Sequence, residues 1–133
     1  MATRRVLVVD PDVDISNLAV LILEEEGYQV TTCPSLSEAA ELLSKSHFDL
    51  VITEAFNQKH PFDFDPTYLT TLRQAAPNTP VILFSVYADI GFPHPGRFGL
   101  ADVVPKVQFD IHDLARKARK VLEEEEQSEG GRK

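Results

Sequence analysis

Residues 5–16 read RVLVVDPDVDIS. The apolar run Val6–Val9 is too short for a helix and lacks polar alternation, as a strand covered on both faces does. It breaks at Asp10-Pro11-Asp12, and an amphipathic pattern follows at once. Ile15, Leu18, Ala19, Ile22 and Leu23 keep one face up to Gly27, a residue that commonly stops a helix. Buried strand, acidic turn and helix together make one unit of an alternating α/β chain.

The unit recurs along the chain. Apolar runs at Gln29–Cys33, Leu50–Thr53, Val81–Ser85 and Asp102–Val104 give four more strands. Ser35-Leu36-Ser37-Glu38 has capping-box spacing ahead of Ala39, Leu42 and Leu43. Asp65-Pro66 sets a capping residue before a first-turn proline, with Leu69 and Leu72 behind it. Asp110 is placed to cap a last helix carrying Ile111, Leu114, Ala115, Ala118, Val121 and Leu122. The alternation predicts a single α/β domain with a mostly parallel sheet and right-handed crossovers. Residues 86–99, VYADIGFPHPGRFG, hold too much glycine and proline for a regular helix, so the fourth helix is expected to be short, irregular or absent. Residues 1–126 read as the domain. Residues 127–133 read as a flexible charged tail.

Composition removes several function classes. A chain of 133 residues suits one domain. No apolar stretch approaches the roughly 20 residues of a membrane span, and the start turns acidic too soon for a secretory signal. The single Cys33 fits a reducing, cytoplasmic setting and reads as a small core residue. A net charge of -8 disfavours DNA and anionic membranes as direct partners. His47, His60, His94 and His112 lack metal-ligand spacing, and no glycine-rich phosphate loop is present. The cations of residues 116–120 read as a solvated helix face with intrahelical pairs. Phe56, Phe62 and Phe64 read as packing over the sheet edge.

Chemistry concentrates at the strand ends. The first run ends on Asp10, with Asp12 two residues on. The third delivers Glu54, the fourth Ser85, and the fifth Lys106 behind Pro105. Open α/β sheets form their sites beyond the carboxyl ends of the strands. Carboxylates, a hydroxyl and a lysine at one edge suit phosphate and metal. Asp12 alone reads as a helix cap.

From about residue 4 to 124 the chain resembles the receiver domain of two-component response regulators, through RVLVVDPDVDIS, FDLVITE, PVILFSVYAD and DVVPK. The resemblance implies a flavodoxin-like, three-layer α/β/α fold with a five-stranded parallel sheet in the order 2-1-3-4-5. It also implies two adjacent acids holding Mg²⁺, an aspartate that accepts phosphate from a histidine kinase, a Ser or Thr, and a Lys paired with the acceptor. Asp10, Ser85 and Lys106 match that pattern. Pro11 stands at the second acidic position, Glu54 at the phosphoacceptor, and Val103 where a switching aromatic is common. The family's proline after the lysine is replaced by Val107. A cis Lys106–Val107 bond would cost about 2.5–4 kcal/mol, so a trans bond or a rearranged loop is expected.

These departures predict lost phosphotransfer. Mg²⁺ relies on carboxylates and water in near-octahedral geometry; Pro11 offers neither carboxylate nor N–H, so the metal is expected to be weak or absent. Glutamate advances its carboxylate by about 1.5 Å over aspartate, a large error where reacting atoms must lie about 3–3.5 Å apart. The longer side chain is instead expected to reach Lys106. The reading is a stand-alone pseudo-receiver without turnover, working by contact with a kinase or downstream effector, with homodimerisation left open. The competing reading is a small Mg²⁺-dependent phosphatase of the haloacid dehalogenase type using Asp10 and Asp12, since a hydrophobic run followed by D-x-D opens that superfamily too. Against it stand the missing late acidic pair, the absence of a flap before the first helix, and the short chain.

Overall fold

The computed structural model describes residues 3–54, 67–85, 99–106 and 111–130. Within them the elements run β1 (Arg5–Val9), α1 (Val13–Glu25), β2 (Gln29–Cys33), α2 (Leu36–Lys45), β3 (Leu50–Thr53), α3 (Thr67–Ala75), β4 (Val81–Ser85), β5 (Asp102–Pro105) and α4 (Ile111–Gly130). All strand pairings are parallel, and the sheet order is β2-β1-β3-β4-β5. The expected strands and sheet order are therefore observed.

Period-two alternation sorts the strand residues into two cores. Leu7, Val9, Val51, Val81 and Leu83 face Leu36, Ala39 and Leu43 of α2 and Leu69 and Leu72 of α3. Val6, Val8, Leu50, Ile52, Ile82, Phe84 and Val104 face Ala19 and Leu23 of α1 and Leu114, Ala118, Val121 and Leu122 of α4. A sheet covered on both faces needs apolar residues at successive positions, which is why these strands do not alternate with polar ones.

Local chemistry fixes the helix ends. The Asp12 carboxylate accepts the N–H groups of Asp14 and Ile15, capping α1. At the other end Gly27 adopts φ 91°, while the N–H of Tyr28 reaches Leu23 O and that of Gly27 reaches Glu24 O. This is a Schellman closure, and glycine is suited to its left-handed residue. Ser35 Oγ accepts the Glu38 N–H and starts α2, as its spacing predicts.

The last helix continues to Gly130, four residues beyond the domain boundary read at 126, because glutamate-rich sequence propagates a helix well. The expected irregular helix between β4 and β5, the caps at Asp65-Pro66 and Asp110, and the Lys106–Val107 bond fall outside the described residues. So do Phe56, Phe62, Phe64, His60 and His94.

Leu114 is fully buried where α4 meets the sheet, whereas Leu21 on α1 is 64% exposed. Leu114→Ala is expected to cost about 2–5 kcal/mol, and Leu21→Ala to stay within about 0.5 kcal/mol. Urea unfolding midpoints measure both; equal midpoints would contradict this packing.

Candidate functional site

Three site residues sit one position past a strand and remain tied to the sheet by the main chain. Asp10 N donates to Cys33 O at 3.1 Å, Glu54 N to Val9 O at 3.0 Å, and Lys106 N to Ser85 O at 3.0 Å. Extending the strand ladder by one residue holds each Cα as firmly as a strand residue. Counting in twos from Val8, Ile52 and Val104, Asp10, Glu54 and Lys106 all continue the parity of the α1/α4 face. Ser85 ends β4, fully buried, opposite Pro105 in the register.

The side chains converge. Lys106 Nζ donates to Glu54 Oε2 at 2.6 Å and lies 2.6 Å from Asp10 Oδ2. The contact with Glu54 has hydrogen-bond direction. The contact with Asp10 is as close but off that direction, so Oδ2 has an ion-pair contact and no directed donor among the described residues. Both carboxylates are buried, with side chains 2% and 4% exposed. The Phe84 ring lies under the ammonium, 5.4 Å from nitrogen to centroid, an added attraction for a cation. Burial alone would lower the Lys106 pKa. The Glu54 charge, the contacts with Asp10 and Glu54, and the Asp10 charge outweigh burial, and the pKa rises above its ordinary 10.5.

The donor set does not suit a hexacoordinate divalent ion. Asp10 Oδ1 accepts the Asp12 N–H at 2.9 Å, and Oδ2 faces Lys106. Pro11 brings no ligand. The Asp12 carboxylate is spent on the α1 cap and is exposed. Among the described residues no group of three or more His, Cys, Asp or Glu gathers at metal-binding range. The ammonium sits where a cation shared by Asp10 and Glu54 would lie.

Other expected residues fall outside this cluster or support it. Val103 is half-buried beside the α2/α3 core, and its carbonyl accepts Lys117 Nζ at 2.6 Å. The 116–120 cations are not all paired within their helix. Arg116 bonds Asp113 one turn away, but Arg119 bonds Glu26 at the end of α1 at 2.5 Å, and Lys117 reaches β5. Cys33 is buried, and burial pushes its thiol up to about 11. The Phe84 contact was missed in the sequence, where that residue reads only as core; its place beside Lys106 at the end of a neighbouring strand was the available signal.

Known proteins agree with this geometry. The model of the response regulator receiver domain matches residues 6–119, and the chain belongs to that family. Among solved structures, a CheY-like receiver domain protein from Methanospirillum hungatei shares 24% identity, with TM-score 0.81 and coverage of 96% of this chain and 99% of that one. NtrX from Brucella abortus shares 23% identity at TM-score 0.82; the match covers 97% of this chain but only 29% of NtrX. The response regulator TrrA from Thermotoga maritima, solved with Mg²⁺ and BeF, shares 25% identity at TM-score 0.74, covering 90% of this chain and 99% of that one. No curated protein sequence matches the chain. The haloacid dehalogenase alternative finds no support, and Asp12 lies in a helix cap instead of facing Asp10 across a pocket. Among the described residues no helix is long and apolar enough to cross a membrane.

Removing the cation from this cluster should be costly. Lys106→Met leaves buried carboxylates without it and is expected to cost about 3–5 kcal/mol at neutral pH. The folded pKa of Lys106 lies above the unfolded one, so its contribution is complete below about pH 10.4 and is lost as pH rises through the raised folded value. Urea midpoints of wild type and variant should therefore differ by a constant amount from about pH 7 to about pH 9.5 and converge at higher pH. A difference already gone near neutrality would contradict the ion pair.

Proposed function

We propose that this receiver domain is degenerate: it keeps the charges of the phosphorylation site but does not transfer phosphate, and it signals by contact with a kinase or downstream effector. One observation carries the reading. Lys106 Nζ lies 2.6 Å from both Asp10 and Glu54, so the acceptor-position carboxylate is already engaged and the acidic position beside it has no second acid.

Phosphoryl transfer leaves the protein little to do beyond positioning and neutralising charge. Glu54 displaces the would-be nucleophile, and Pro11 removes a metal ligand. Each change works against in-line attack, and they compound. An acidic chain of net charge -8 also repels nucleic acid, which favours a protein partner over DNA. The clamp holds one arrangement of the rim without phosphate, as a fixed docking surface requires.

Incubation with acetyl phosphate and Mg²⁺, followed by intact mass spectrometry, tests the proposal. The expected product is unmodified protein. Stoichiometric phosphate on the wild type, absent from Glu54→Gln, would overturn it. Partner binding distinguishes a fixed dock from a permanent mimic of the phosphorylated state: a dock tolerates both Glu54→Gln and Glu54→Asp, whereas a mimic loses affinity with Glu54→Gln.

A further inference from the structure

We infer that the Lys106 ammonium has taken over the counter-ion role at this rim, and that Asp10 and Glu54 become a binding site for a hard divalent cation once that ammonium is removed. The inference rests on the degenerate-site reading and explains how the rim stays folded without a metal.

Two carboxylates with side chains 2% and 4% exposed have lost most of their hydration, so a cation must balance them in the folded state. Separations of 2.6 Å to each carboxylate are those of short, charge-assisted contacts. One nitrogen at that range from two oxygens fills the space that a metal bridging them would use. Lys106 thus excludes the ion by occupancy as well as by charge.

The second observation is Asp10 itself. The residue is 4% exposed, and its Oδ2 has no directed donor among the described residues although it faces the ammonium. A lone pair aimed at a cation without a hydrogen bond is what an inner-sphere metal ligand presents. The fixed backbones of Asp10 and Glu54, both held in the strand ladder, would keep the carboxylates near each other after the lysine is lost. Two carboxylates completed by water satisfy Mg²⁺ or Mn²⁺, which retain several waters and take oxygen ligands.

The test uses wild type, Lys106→Met, which fills the lysine stem's space without its charge, and the double variant Lys106→Met/Glu54→Gln. Each is titrated with MnCl₂ by calorimetry and melted in EDTA or in MnCl₂. Lys106→Met is expected to bind Mn²⁺ at least about tenfold more tightly than wild type, a difference of ~1.4 kcal/mol. Its melting temperature should rise with Mn²⁺ as ligand linkage requires, while wild type and the double variant stay indifferent. A Lys106→Met protein unfolded in EDTA and folded in Mn²⁺ also supports the inference. Equal Mn²⁺ affinity in wild type and Lys106→Met, or a variant that Mn²⁺ neither binds nor restores, would overturn it. Those failures leave the degenerate-site reading intact if the wild type still takes no phosphate; phosphate uptake by the wild type defeats that reading separately.

Discussion

β1 is hydrogen-bonded along both edges, to β2 from Arg5 through Val9 and to β3 from Val6 through Val9, and the rest of the molecule hangs from that double pairing. Its side chains serve both cores, Val6 and Val8 on the α1/α4 side and Leu7 and Val9 on the α2/α3 side. A parallel strand in this position has no edge to expose and no polar face, so its sequence must stay apolar until the sheet ends. The first residue allowed to be polar is Asp10. Even there the main chain is still in the ladder and the side chain is still out of water. The acid is desolvated because the strand that carries it is central.

An electrostatic requirement follows. A buried carboxylate costs several kcal/mol in lost hydration unless a cation and hydrogen bonds offset it. Asp10 receives the Asp12 N–H on one oxygen and the Lys106 ammonium on the other. Glu54 reaches the same ammonium from β3. Lys106 comes from the end of β5, and β4 separates it from β3 in the sheet. Only a long, flexible side chain can span that gap, and Phe84 on β4 lies beneath its charged end. The raised pKa of Lys106 records the outcome: the acids outweigh the burial that would otherwise discharge it. One residue thus connects three strands at the rim by charge as well as by main-chain pairing.

Helix placement reinforces that rim. Asp12 turns its carboxylate onto the α1 amides, and Ser16 Oγ approaches the Asp10 carbonyl at 3.4 Å. The start of α1 and the end of β1 are thereby fixed together. At the far end of α1, Arg119 of α4 holds Glu26, while Lys117 bridges α4 to β5 through Asp102 and the Val103 carbonyl. Individually such partly exposed pairs contribute little. Together they orient α4 against α1 and β5, beside the strand end that presents Lys106.

Much of this was legible in the residues alone. The uninterrupted apolar runs fix parallel strands, because only a sheet covered on both faces tolerates them. Ser35, Asp12 and Gly27 mark helix ends through local hydrogen bonds and backbone freedom. Asp10, Glu54, Ser85 and Lys106 declare themselves by standing where those runs stop. Sequence also carries the departures at Pro11 and Glu54, since residue type is all they require. Tertiary structure decided the rest: that one ammonium is shared by Asp10 and Glu54, that Phe84 lies beneath it, and that Arg119 and Lys117 leave their own helix to find partners. Those facts depend on distances between residues tens of positions apart. The local preferences written in a sequence reach only a few residues, so such distances are set by the packing of whole elements.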